Sequence, residues 1–334
     1  MKTKILYRLA IATTLAGIVF VACSKSGSSA AATGTSVSDL QVQSSDQTSV
    51  SNETDAVEDD ANTAMASQVA VSGASAQTTG HGVGRTVESV QSVNTELICD
   101  AAITVDSVDN PRTITLTYNG ASCSPTRTRT GVVVISIPAG TKWRDTGAVI
   151  TVNFQNLIIN SLVTGKSMTI NGTHTYTNVS GGSLVELYLG TAQSITHTIT
   201  STNMLITFDS GGTRTWSVAR QRVWTYANTN VTITTTGLHT DGNTTGIAEW
   251  GLTRFGNSFE TAIAANNPLV IQSGCSWRLT SGQVAVIRPD ISTTITFGLD
   301  SAGIATSCPG LTGTYYFQAV WQIAGKSYSY ILPY

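Results

Sequence analysis

Residues 147–154 have the sequence Gly-Ala-Val-Ile-Thr-Val-Asn-Phe, and this stretch decides the fold class. Successive side chains of an extended strand point to opposite faces of a sheet. Ile150, Val152 and Phe154 therefore share one face, and Thr151 lies on the other. A strand with one apolar and one polar face is typical of an antiparallel sheet with one solvated side.

Similar alternating stretches recur from about residue 97 to the end of the chain. Turn dipeptides such as Asn119-Gly120, Asn171-Gly172 and Asp241-Gly242 separate them, and these dipeptides favour tight hairpins. Residues 110–334 contain 40 threonines, which are β-branched and favour strands. We expect residues 97–334 to form an all-β domain, an antiparallel β-sandwich or barrel-like sheet of about 14–18 short strands. Two smaller sandwiches with a boundary near residues 210–240 are the alternative.

The charges divide the chain into two regions. Residues 24–109 contain 12 acidic and two basic residues, whereas residues 110–334 contain 13 basic and eight acidic ones. Residues 23–96 are acidic and poor in large apolar side chains, so we expect a flexible linker there. A short helix over residues 55–68 and docking of the acidic segment on the β domain are the alternatives. The net charge of −2 argues against a nucleic-acid partner, which requires a basic surface.

The N-terminus has the features of an export signal. A basic start is followed by an apolar stretch at residues 9–22 and then by Cys23, a pattern that resembles a bacterial lipoprotein signal peptide. It predicts removal of residues 1–22 and a lipid anchor on Cys23, which holds the chain to a membrane. Because Ser24 rather than an aspartate follows the cysteine, we expect an outer-membrane lipoprotein of the cell envelope, on its periplasmic or surface-exposed face.

Four further cysteines remain, and an even number in an exported protein predicts disulfides. Of the three pairings that are possible, we expect Cys99–Cys123 and Cys275–Cys308, because each closes a local loop. A zinc site requires closely spaced cysteine pairs, which these positions lack. The sequence predicts no metal and no cofactor.

Several motifs of the β domain occur in a familiar order. They include Arg129-Thr130-Gly131-Val132, Gly274-Cys275-Ser276-Trp277 and the stretch from Thr296-Phe297-Gly298 to Cys308. This order resembles a Thr-rich family of exported lipoproteins from Bacteroidota, over roughly residues 97–334. Pro309 stands where the family has an acidic residue. The resemblance implies export, disulfides and a bacterial source. It implies no catalytic residue, because the family has no established activity.

We predict a non-catalytic binding or structural role, because the β domain is poor in the residue types that catalysis uses. Trp143 lies beside basic residues in a predicted turn, and Arg214, Arg220 and Arg222 share one strand face. These four are the candidate ligand contacts. A glycan-binding or glycan-processing surface protein and a lipid-handling β-groove are the alternative functions. A glycan or another envelope protein is the candidate partner.

Two short sequences, Asp106-Ser107-Val108 and Asp300-Ser301-Ala302, resemble an O-glycosylation acceptor. Ser107 and Ser301 are therefore candidate modification sites.

Overall fold

The structure is a computed structural model that describes residues 37–68, 98–121, 126–289, 291–309, 313–323 and 325–334. Residues Ser36–Tyr334 belong to one compact unit. The described helices are α1 (Val37–Ser67) and the short α2 (Leu184–Tyr188), and a 3-10 turn spans Ser273–Cys275. The strands are β1 (Ala101–Asp106), β2 (Arg112–Asn119), β3 (Arg127–Ile137), β4 (Ala148–Ser161), β5 (Ser167–Asn178), β6 (Ser194–Phe208), β7 (Thr213–Ala227), β8 (Asn230–Gly237), β9 (His239–Asp241), β10 (Thr244–Leu252), β11 (Ser258–Ala262), β12 (Leu269–Gln272), β13 (Arg278–Ile287), β14 (Ser292–Leu299), β15 (Tyr316–Ile323) and β16 (Lys326–Pro333).

All sixteen described strands belong to one antiparallel sheet, which confirms the predicted fold class and strand number. The sheet follows chain order from β1 to β7 and from β13 to β16. Between β7 and β13, two short strand pairs lie end to end: β10 with β11, and β8 with β12. The sheet continues without a break through residues 210–240, so the structure has one sheet there instead of two sandwiches.

A series of β-bulges bends the strands of the first half. The register shifts between β3 and β4 opposite Gly131, and again where β4 pairs β5, β5 pairs β6 and β6 pairs β7. Gly131 has φ +113°, and a Cβ there would lie 2.2 Å from the backbone oxygen of Asn156. Asn156 and Asn203 also have positive φ. Bulges increase the local twist and bend of a strand, so they curve the sheet.

The sheet curves around α1, and strands near both of its edges contact this helix. The Tyr118 hydroxyl of β2 donates to Asp60 of α1 at 2.9 Å. The Tyr330 hydroxyl of β16 lies 3.3 Å from the carbonyl oxygen of Gln41. At about 4.8 Å per strand, a flat sheet would place β2 and β16 more than about 50 Å apart. The two contact points lie only about 30 Å apart along the helix, which requires a strongly curved sheet.

Helix α1 corrects the expectation of a flexible linker over residues 23–96, because Val37–Ser67 form a continuous helix of 31 residues. Residues 37–67 contain neither glycine nor proline, the two residues that most often end a helix. The tertiary contacts then favour the helical form. The rest of the predicted linker, apart from Gln68, lies outside the described residues, as do the signal peptide and Cys23.

The core lies between α1 and the concave face of the sheet. Val50, Val57 and Met65 of α1 pack with apolar side chains from β1 to β7, whereas Leu40 packs with those of β8 and β12 to β15. The helix therefore connects the two halves of the core. No helix of the described residues has both the length and the apolar composition to cross a membrane.

Candidate functional site

Three arginines of β7 bind the acidic side of α1. Arg214, Arg220 and Arg222 alternate along the strand on its concave face, and all three are buried. Arg220 Nη1 lies 2.5 Å from Asp55 Oδ1, and Arg222 Nη1 lies 3.0 Å from Glu58 Oε2. The prediction that these arginines contact an external ligand is therefore wrong for the described structure. They share one strand face as expected, but that face is covered by the helix.

Glu249 of β10 extends this network toward the N-terminal half of α1. Its carboxylate lies 3.6 Å from Arg220 and 3.8 Å from Arg214. The Ser51 hydroxyl donates to Glu249 at 2.9 Å, and the Gln47 amide also donates to it. The buried charges are thus compensated, as a low-dielectric interior requires.

Further ion pairs join α1 to β3 and to the turn between β10 and β11. They are Arg127–Glu53 at 3.1 Å, Arg129–Asp60 at 2.7 Å and Arg254–Asp46 at 2.5 Å. Ion pairs therefore hold the helix from Asp46 to Asp60.

Burial changes the protonation of several groups in this network. Burial raises the pKa of Asp59 to about 8, although Arg222 Nη2 lies 2.9 Å from its carboxylate. Burial also raises the pKa of Asp55 to about 6, against the opposing effect of Arg220. Burial acts in the same direction on Glu58, but Arg220 and His174 outweigh it and lower its pKa to about 2. Burial lowers the pKa of His174.

A groove of about 660 Å³ runs beside α1. One wall is the only stripe of α1 that the sheet leaves partly uncovered, and its members recur at helical spacing: Ser45, Ser49, Asn52, Ala56, Thr63 and Ser67. The other wall is mainly apolar and aromatic and comes from segments far apart in the sequence: Met168, Tyr188, Phe208, Trp277, Phe317 and Tyr334. A concave surface of this size with one apolar wall is the usual form of a ligand site.

Trp277 stands at this groove in an unusual conformation. Its side chain is 39% exposed, and both Ser276 and Trp277 adopt positive φ, at +59° and +57°. Left-handed backbone costs about 1–3 kcal/mol at such residues and is concentrated at functional sites. The predicted Cys275–Cys308 disulfide is confirmed, and it ties down the turn that carries Trp277.

The structure places the other predicted site residues as follows. Trp143 is only 3% exposed, and its ring centroid lies 4.8 Å from that of His197, so its predicted role as a ligand contact is wrong. Ser107 and Ser301 are exposed. Cys123 lies outside the described residues, so the Cys99–Cys123 pair stays a prediction.

Comparison of the chain with protein-family models, curated proteins and solved structures finds no match. The site is therefore defined by its geometry alone: a helix-filled β-sheet with one long groove beside the helix.

Proposed function

We propose that this chain is an outer-membrane lipoprotein, anchored through Cys23, whose β domain binds a ligand in the groove beside α1. The groove itself is the observation that carries the proposal. It combines a volume of about 660 Å³ with a polar and an apolar wall, which allows it to enclose and orient a molecule.

The role proposed for the groove is binding without chemical change. Among the acids that line it, Glu53 and Asp46 are held in ion pairs with Arg127 and Arg254. These two carboxylates are engaged by guanidinium groups of the protein and help to shape the groove walls.

Lipid handling is the second candidate function. Its specific support is the apolar wall together with a cavity of several hundred cubic ångströms, which is the size that an acyl chain requires. The same experiment tests both candidates, because it identifies the bound molecule.

The test is native mass spectrometry of the full chain, with Cys23→Ala to avoid lipidation, after incubation with separate glycan and lipid extracts of Gram-negative envelopes. Ala56→Trp fills the groove from the partly exposed stripe of α1, and Thr151→Trp places the same side chain on the solvated face of β4. We expect an adduct on the parent chain and on Thr151→Trp that is absent from Ala56→Trp. Absence of an adduct from all three, or equal adducts on all three, would show that the groove is not a ligand site.

Membrane attachment has its own test. The full chain is expressed in a Gram-negative host that is fed an alkyne-bearing palmitate, with Cys23→Ser as the matched control. The proposal requires label on the parent chain and none on the variant. An unlabelled parent chain would exclude the anchor while leaving the groove proposal open to its own test.

A further inference from the structure

The two walls of the groove differ in chemistry, and this difference restricts the ligand. The α1 wall presents small hydroxyl and amide side chains such as Ser49 and Asn52. The opposite wall presents the exposed rings of Trp277 and Tyr188. An acyl chain would satisfy the apolar wall and leave the polar one without partners, which is costly when water is excluded. A sugar ring has an apolar face and polar edges, so it fits both walls at once.

Polar side chains of the α1 stripe stay accessible in the groove. Ser49 is exposed and Asn52 is partly exposed, and both line it. A ligand with several hydroxyl groups can supply both donors and acceptors to such groups.

The charges of the groove favour a neutral ligand. Five acidic and four basic residues line it, and pairs such as Glu53–Arg127 and Asp46–Arg254 neutralise one another. With five acids against four bases, the groove has no net basic excess of the kind that attracts a polyanion or a fatty-acid carboxylate.

The length of the groove favours an extended chain. Its α1 wall reaches from Ser45 to Ser67, which corresponds to about 33 Å at 1.5 Å per residue. That length accommodates several sugar rings in a row.

We propose that the groove binds a linear, uncharged oligosaccharide, with ring faces on Trp277 and Tyr188 and hydroxyl edges on the exposed stripe of α1. This inference rests on the proposed function, because it names the ligand of the same groove.

The test is isothermal titration calorimetry of the full Cys23→Ala chain with neutral hexasaccharides of glucose, mannose, xylose and N-acetylglucosamine. Sodium palmitate and a polyanionic glycan are the comparison ligands. At least one neutral hexasaccharide should bind, and Trp277→Ala should weaken that binding about tenfold or more, as loss of a central aromatic contact does. Phe255→Ala is the matched control, because Phe255 is 42% exposed and does not line the groove. It should stay within about twofold of the parent chain.

The outcomes separate this inference from the proposed function. Binding of palmitate or the polyanion without any neutral hexasaccharide would overturn the oligosaccharide inference and leave the groove as a ligand site. A hexasaccharide that binds Trp277→Ala as tightly as Phe255→Ala would also overturn it. An envelope-extract adduct that Ala56→Trp retains would overturn the proposed function itself.

Discussion

Replacement of Arg220 by methionine tests whether α1 is held by the buried network. Arg220 is fully buried and contacts both Asp55 and Glu249. Its removal leaves the buried Asp55 without this cation and leaves Glu249 with only Arg214, 3.8 Å away. Breaking a buried ion pair from one side costs about 3–5 kcal/mol, and we expect that loss in the free energy of unfolding at pH 7.

The same loss can be expressed as a melting temperature. The compact unit Ser36–Tyr334 has about 300 residues, and unfolding entropy near 2.1 cal/mol/K per residue gives about 0.6 kcal/mol/K. The melting temperature of Arg220→Met should therefore fall by roughly 5–8 °C. The assay is urea and thermal unfolding followed by circular dichroism.

Two controls make this prediction specific. Lys142 is exposed, so Lys142→Met should change stability by less than about 0.5 kcal/mol. Adding Asp55→Leu to Arg220→Met should recover part of the loss, because it removes one uncompensated charge. If Arg220→Met unfolds within about 1 kcal/mol of the parent chain, α1 is not bound to β7 in solution as described.

Three other perturbations have expected outcomes. Burial and Arg222 lower the pKa of His197 to about 3 from 6.5. The stability contributed by neutral His197 is therefore complete above about pH 6.5 and is lost as the pH falls toward 3. In urea titrations, His197→Phe should remove about 2–3 kcal/mol of the acid-induced loss at pH 4.5, and an unchanged pH profile would contradict this. Gly131→Ala should destabilise by several kcal/mol, whereas Gly140→Ala, where φ is also positive but no atom lies within 4 Å of the added Cβ, should cost only about 1 kcal/mol of backbone strain. The Cys275→Ala/Cys308→Ala double variant removes a disulfide between residues 33 apart, and its free energy of unfolding should fall by about 3–4 kcal/mol. Equal stability of the parent and double-variant chains in urea unfolding would contradict this.

The alternation of apolar and polar residues was sufficient to predict the sheet. Ile150, Val152 and Phe154 are buried as expected, and Thr151 is exposed. This success has a local cause: a strand with one solvated face encodes its orientation in neighbouring residues.

The full length of helix α1 was not predicted, and the alternative of a short helix over residues 55–68 covers only its C-terminal part. Leu40, Val50 and Val57 are separated by seven residues or more, so they form only a sparse apolar stripe, and ion pairs add further contacts with the sheet. Those partners lie more than 160 residues away for Asp55 and Glu58. The unequal charges of the two regions were the one signal of this docking, and the alternative of an acidic segment on a basic domain came closest to the structure.

The ligand groove could not be predicted either, because no local pattern carries it. Trp143 stands beside Lys142 and Arg144, a context that suggested exposure, yet its ring packs on His197. Trp277 is turned toward solvent by two successive left-handed residues, Ser276 and Trp277 itself. The backbone conformation at a turn decides whether a side chain faces solvent, and the alternation of apolar and polar residues does not indicate that conformation.

The contacts between α1 and the last strand have a consequence for how the chain acquires its structure. Tyr330 of β16 lies against the backbone of Leu40, 290 residues earlier, and Arg288, directly after β13, donates to Gln43 across 245 residues. Contacts of such separation form slowly, because a long loop must close before they stabilise anything. Helix α1 is the first described element to be synthesised, and its contacts with β16 can form only after this last strand has been made. Loss of the final strand is expected to delay or prevent docking of α1, instead of merely trimming one edge of the sheet.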